Sequence, residues 1–160
     1  MENFAEEPEE IVERNLVAII AAIVTDIPVE GVLTPAAEGE VKVSHDTFIN
    51  VTIDEKEQTV DQASGTTMFE FAAKVTVHFA FADDKSGHDF RDTCRKVRHA
   101  LKTVLGDGCA LLNGDCFEAD GFMLGETNTD EEGDDDSPGM QKTYNATISG
   151  RTTPNNERNN

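Results

Sequence analysis

Apolar residues recur at helical spacing over residues 8–27, where Val12, Leu16, Ile19 and Ile23 fall within about 60° of one another on a 3.6-residue wheel. The pattern predicts an amphipathic helix that opens at Pro8, a favoured first-turn residue, and stops at Pro28. Glu9, Glu10 and Glu13 suit the positive end of its dipole, and Val17, Ala18, Ala21 and Ala22 leave its other side apolar enough for a second packing partner. The period then changes to two. Phe48 to Val60 (FINVTIDEKEQTV) and Thr67 to Ala82 (TMFEFAAKVTVHFAFA) read as strands, joined by Asp61 to Thr66 with turn chemistry at Ser64-Gly65. In the second run Phe69, Phe71, Ala73, Val75, Val77, Phe79 and Phe81 alternate with Glu70, Lys74, Thr76 and His78, so one face is core and the other wetter. That run would extend about 45–50 Å, far beyond a typical strand, and the hairpin is expected to bend or to project beyond the sheet.

Ser86 followed by Asp89 supplies an N-cap and a capping-box variant for a second helix. Phe90, Cys94, Val97, Leu101, Val104 and Leu105 form its apolar stripe, and it ends near Gly106. After a Gly-rich connection with a short apolar piece, Cys109 to Leu112, two more strands are expected at Cys116 to Glu126 and Met140 to Arg151. In the last, Tyr144, Ala146 and Ile148 alternate with Thr143, Asn145 and Thr147. The expected fold is α+β: an antiparallel sheet of about four strands, two main helices packed on one face, and a long β-hairpin between the helices. At 160 residues there is room for one such domain, over residues 1–152.

Charge changes the picture of the connections. Thirteen Lys and Arg against 32 Asp and Glu give a formal net charge of −19, which argues against a surface built to hold nucleic-acid backbones. Six acids lie in the first 13 residues, within and beyond an acidic segment 1–8, and ten more lie between Asp115 and Asp136. Thr129 to Gly139 reads TDEEGDDDSPG; such blocks repel themselves, so residues 128–139 are expected to form a mobile acidic loop. Residues 153–160 (TPNNERNN) are expected to be a disordered tail. The longest apolar run, Leu16 to Val24, has nine residues against the roughly 20 of a membrane span, and acids precede it, so neither a span nor a signal peptide is expected. Cys94, Cys109 and Cys116 match no disulfide framework or zinc spacing and fit a reducing compartment.

No motif points to catalysis, a metal or a cofactor. His45, His78, His88 and His99 share no i, i+4 pair and no neighbouring CxxC, and GxSxG, GxGxxG and Walker-type loops are absent. Gly106, Gly108 and Gly114 neighbour Asp107 and Asp115, the wrong sign for a phosphate. Cys94 lies on the apolar stripe and reads as a small buried hydrophobe. Read from Asn128 as a calcium loop, the acidic run places Asp130, Glu132 and Gly133 suitably but has Gly139 where a bidentate Glu belongs. Weak divalent screening without a discrete site is the expectation there. The informative feature is basic. Arg91, Arg95, Arg98 and Lys102 occupy a band about 60° wide beside the apolar stripe, with Lys96 elsewhere, so residues 91–102 carry five of the 13 basic side chains. Such a band either pairs locally with acids or serves as a complementary patch for head-to-tail self-association, and the four residues of the band are the candidate subunit or partner interface.

The order of elements resembles that of tail terminator and related tail-completion proteins of long-tailed bacteriophages and prophages. An acidic start and amphipathic helix lead through a linker to a long hairpin ending in FAFADD. A second helix opening at Ser86-Gly-His-Asp89-Phe and two C-terminal strands follow, over roughly residues 8–152. The resemblance implies a structural subunit without catalysis or cofactor, forming a hexameric ring that caps the tail tube and joins it to the head. Its partners would be its own copies, tail-tube and head-completion proteins, with DNA as transiting cargo and no membrane. Its place would be the virion tail or neck, reached from the host cytoplasm. The acidic N-terminus and the DDD-containing insertion depart from that pattern and leave a neighbouring head-tail connector role open. Two other classes compete: an acidic DNA mimic that occupies a nucleic-acid-binding protein, and a small hydrolase using carboxylates such as Asp107 and Asp115.

Overall fold

A computed structural model describes residues 7–34, 47–85, 87–106, 109–114 and 117–152. The first helix, α1 (Pro8–Ala21), is shorter than its sequence pattern suggests. Its backbone tightens as the N–H groups of Ile23 and Val24 both turn back to the carbonyl of Ile20, at 3.0 and 2.8 Å. The cause is local: Ile23, Val24 and Thr25 are β-branched, and Ile27 is pushed toward extended geometry by Pro28. Val24 and Ile27 then enter the core as coil. The buried stripe is Ile11, Val12, Leu16, Val17 and Ile20, with Ile19 and Ile23 only half-buried.

The architecture is α+β, with a five-stranded mixed sheet and two helices. The expected antiparallel four becomes five because a short strand, β1 (Val29–Gly31), lies parallel to β2 (Phe48–Val60). Three residues are too few for a period, and a parallel neighbour needs a long crossover, so the sequence carries no hairpin signal for it. β2 pairs with β3 (Thr67–Ala80), β3 with β5 (Pro138–Thr152), and β5 with the outer strand β4 (Glu118–Gly133), all antiparallel, giving the order β1-β2-β3-β5-β4. Phe81, expected to extend β3, begins a 3-10 turn, Phe81–Asp83. The odd positions of β3 from Phe71 to Phe79 are buried with Ile49, Val51 and Ile53 of β2 and Ala146 and Ile148 of β5. Both helices share that single core cluster. The outer half of β2 is an open edge: every residue from Asp54 to Val60 is exposed and a bulge lies between Glu55 and Glu57, while β3 opposite stays paired with β5 as far as Thr67↔Thr152 and keeps Phe71 in the core.

The largest correction concerns the acidic segment 128–139. The structure forms β4 through Gly133 and β5 from Pro138, leaving a four-residue turn in place of a mobile loop. β3 holds β5 as far as Ala80↔Gly139, so β5 presents a formed edge to which Asn128–Gly133 pair residue by residue. On an edge strand the carboxylates reach water on both faces, and backbone pairing outweighs their mutual repulsion. In the turn, an Asp134 carboxylate oxygen accepts from the N–H groups of Asp136 and Ser137 at 3.0 and 2.8 Å. Gly133 has φ 86°, and a Cβ there would lie 2.0 Å from the Ser137 carbonyl oxygen. The segments 1–6 and 153–160 lie outside the described residues, as do Cys116 and Ser86.

The second helix, α2 (Asp89–Gly106), is held at its start by two aspartates: the Asp89 N–H donates to the Asp84 carboxylate at 3.0 Å, and the Lys85 N–H to Asp89 at 2.8 Å. Phe90 in its first turn meets Phe79 edge-on at 5.9 Å, which fixes the helix over the sheet. Cys94, Val97, Leu101 and Val104 are buried as the stripe requires, while Leu105 is exposed.

Candidate functional site: a basic groove between helix and sheet

Arg91, Arg95 and Arg98 follow one another along α2 on the flank of its apolar stripe, so they overhang the sheet. Between them and β5 runs a groove of about 610 Å³, closed at one end by Phe81 and Asp84 and floored by Phe90, Cys94, Met140 and Tyr144. Lys142 and Thr129 complete it from the strands. A smaller cavity of about 310 Å³ continues toward Leu101, Leu124 and Asn145, with Arg98, Lys142 and Tyr144 common to both. These three side chains stand where the two spaces meet. Of the four band residues, Arg91, Arg95 and Arg98 are brought together here, while Lys102 is exposed and lines neither cavity.

Lys142 is the cation that the sequence reading missed. Its strand register pairs it with Val77 and Thr129, on the face shared by Tyr144, Ala146 and Ile148. The signal was there: Met140 and Lys142 continue the alternation of those three residues backwards, which puts a lysine on the helix-facing side. Its Nζ lies 5.4 Å from the centroid of the Tyr144 ring, a cation-π contact. The Tyr144 hydroxyl donates to the Cys94 carbonyl at 3.0 Å and so ties the groove floor to α2. Burial, reinforced by the nearby Cys94, drives the Tyr144 phenol far above its ordinary range, and the Arg98 charge opposes the shift only in part. Burial likewise pushes the Cys94 thiol up, with Lys142 opposing.

Four cations thus converge on one groove of a chain whose net charge is −19. Arg95 is committed in part to Asp92, three residues earlier, in an exposed pair of the kind that contributes little. Arg91, Arg98 and Lys142 make no ion pair with any described residue. Arginine forks match carboxylates with two parallel hydrogen bonds, and a half-buried lysine attracts anions more strongly than a solvated one. The groove thus presents positive charge beside apolar surface.

The other candidates fall elsewhere. His78 stacks on Phe48 with ring centroids 4.4 Å apart and bonds Glu132 through Nδ1 at 2.6 Å, on the sheet face away from the helices. Asn128–Gly139 form strand, turn and strand, not a calcium loop, and no three metal-ligating groups cluster among the described residues. Asp107, Asp115 and His45 lie outside the described residues. No described helix is long and apolar enough to cross a membrane. Comparison with known proteins finds no family model and no curated sequence that matches this chain.

Proposed function

We propose that this protein is a self-assembling structural subunit of the tail-terminator type. It would form a ring that caps a phage or prophage tail tube and joins it to the head, with neighbouring tail-tube and head-completion proteins as partners. The observation that carries the reading is charge segregation: cations gather in the α2 groove, three of them without an ion pair to any described residue, while carboxylates line the outer edge and tip of the β4–β5 hairpin. Two unlike, complementary patches on one chain are what a heterologous, head-to-tail contact requires, and such contacts form a ring where the rotation between neighbours closes and a filament where it does not. Strand addition is a poor alternative, because bulges and charged residues interrupt both β4 and the outer half of β2. Six copies would carry a formal −114 from −19 each, so the remaining acids must face solvent or a lumen, where they would let DNA pass without adhering. Absolute mass by light scattering behind a sizing column, with micrographs of any large peak, tests the reading. A ring of about six subunits supports it; a strict monomer at every concentration and salt overturns self-assembly.

A second reading has one observation in its favour. Carboxylates expected on a mobile loop stand instead on a formed hairpin, and a rigid acidic array is what a mimic of nucleic acid needs. Salt-sensitive capture of a basic nuclease or repressor by a monomeric chain would select it.

A further inference from the structure

We propose that the groove between α2 and β5 receives the β4–β5 turn of a second copy of this chain, with Asp135 and Asp136 of one subunit seated among Arg91, Arg98 and Lys142 of the next. The inference rests on the self-assembly reading and names the two surfaces that meet.

Charge complementarity selects the occupant. Residues 130–137 (DEEGDDDS) hold six carboxylates and no Lys or Arg, and of these Glu132 bonds His78 on the far face while Asp135 and Asp136 stand at the turn. On β2, by contrast, Asp54, Glu55 and Glu57 are interleaved with Lys56. The turn is also shaped in advance. Asp134 ties down the N–H groups of Asp136 and Ser137, and Gly133 sets the reversal, so Asp135 and Asp136 stand exposed on a fixed backbone. Little conformational entropy remains to be lost on docking. The groove offers unpaired cations over an aromatic floor, in the volume range of small recognition sites.

The chain's own turn cannot reach that groove. Gly139 is locked to Ala80 by the β3–β5 ladder, and the turn continues the strand outward from there, while Met140 and Lys142 enter the groove from the same strand's face. None of the turn residues 134–137 lines that groove, so the carboxylates reach the arginines through a second copy.

Charge reversal in the full chain separates the outcomes. Asp135→Lys with Asp136→Lys leaves the Asp134 tie intact and makes the chain less negative, so general repulsion falls. Association weaker by tenfold or more, read by light scattering, would then report a lost specific contact. Arg91→Glu with Arg98→Glu should weaken association similarly. Combining all four restores the wild-type net charge of −19 and re-creates the pairs with opposite polarity, and it should recover association. Asp135→Asn with Asp136→Asn, which preserves side-chain size, should also weaken it. Unchanged association in the two tip variants overturns this inference while leaving self-assembly standing, as does a fourfold variant no better than its parents. A wild-type chain that never associates overturns both.

Discussion

At the scale of single residues, Glu13 carries more than its place in the first turns of a helix suggests. The residue is 2% exposed, and its carboxylate accepts from the N–H groups of Val32 and Leu33, both at 2.9 Å, and from the Thr34 hydroxyl at 2.8 Å. A Cβ at Gly31 would lie 2.5 Å from the Glu13 carboxyl carbon, so that glycine makes room for it. Sequence spacing marks Glu13 as a dipole-compensating surface acid, because the loop that buries it is contributed from 20 residues away and leaves no periodic trace. Glu13→Ala should cost about 3 kcal/mol, since it strands donors that a buried carboxylate had satisfied, and Glu13→Gln, keeping one acceptor, should cost less; urea unfolding reads both. Tyr144 gives a pH prediction of known sign. Its folded phenol stays protonated where the unfolded chain's ionises, so the unfolded state binds fewer protons and stability falls as pH rises above about 10. The buried Cys94 thiol adds an earlier limb above about pH 8.5. Tyr144→Phe should abolish the limb above about pH 10, and because the chain has one tyrosine, the wild-type phenolate absorbance should appear together with unfolding.

At the scale of elements, legibility follows periodicity. The β2–β3 hairpin and α2 were readable because their core positions hold one phase throughout, and the arginine band was readable for the same reason. β4 was not, because two bulges reset its phase: Ala119 faces the core, then Phe122 and Leu124, then Thr127 and Thr129 opposite Tyr144 and Lys142. No single alternation fits, and the acids of its outer half resemble the composition of a loop. The bulges are themselves tied down, by Ser149 on Asp120 at 2.9 Å and by the Asn145 amide on the Glu126 carbonyl at 2.9 Å. The exposed tip of the β2–β3 hairpin allows a separation of folding from assembly. Replacing Thr59–Met68 by Asn-Gly would close the ladder on the Gln58↔Phe69 pair with a two-residue turn and remove no fully buried side chain. Thermal unfolding should move by no more than a few degrees. If the chain assembles as proposed, its association should be impaired, and normal assembly by this variant would show that the hairpin tip is not a contact surface.

At the scale of the molecule, two electrostatic effects of different range act against each other, and ionic strength separates them. Subunits at −19 repel over their whole surfaces, at separations that a Debye length of about 8 Å near physiological salt already screens. In the proposed contact, the attraction between groove and hairpin turn would act at short range, beside the Phe90 and Tyr144 rings, and would survive more salt. Association should therefore be weakest in very dilute buffer, strengthen as salt approaches about 0.15 M, and decline toward 1 M, where the Debye length is about 3 Å and contact pairs are screened as well. Sedimentation or light scattering across that range reads the profile directly. A monotonic rise with salt would mean that apolar contact holds the subunits together. A monotonic fall would mean that attraction between unlike charges dominates at every ionic strength, and that the net charge of −19 opposes association too weakly to matter. Only the maximum at intermediate salt requires a localised basic site meeting a localised acidic one, and reversing Arg91 and Arg98 should abolish that maximum while leaving the low-salt repulsion in place.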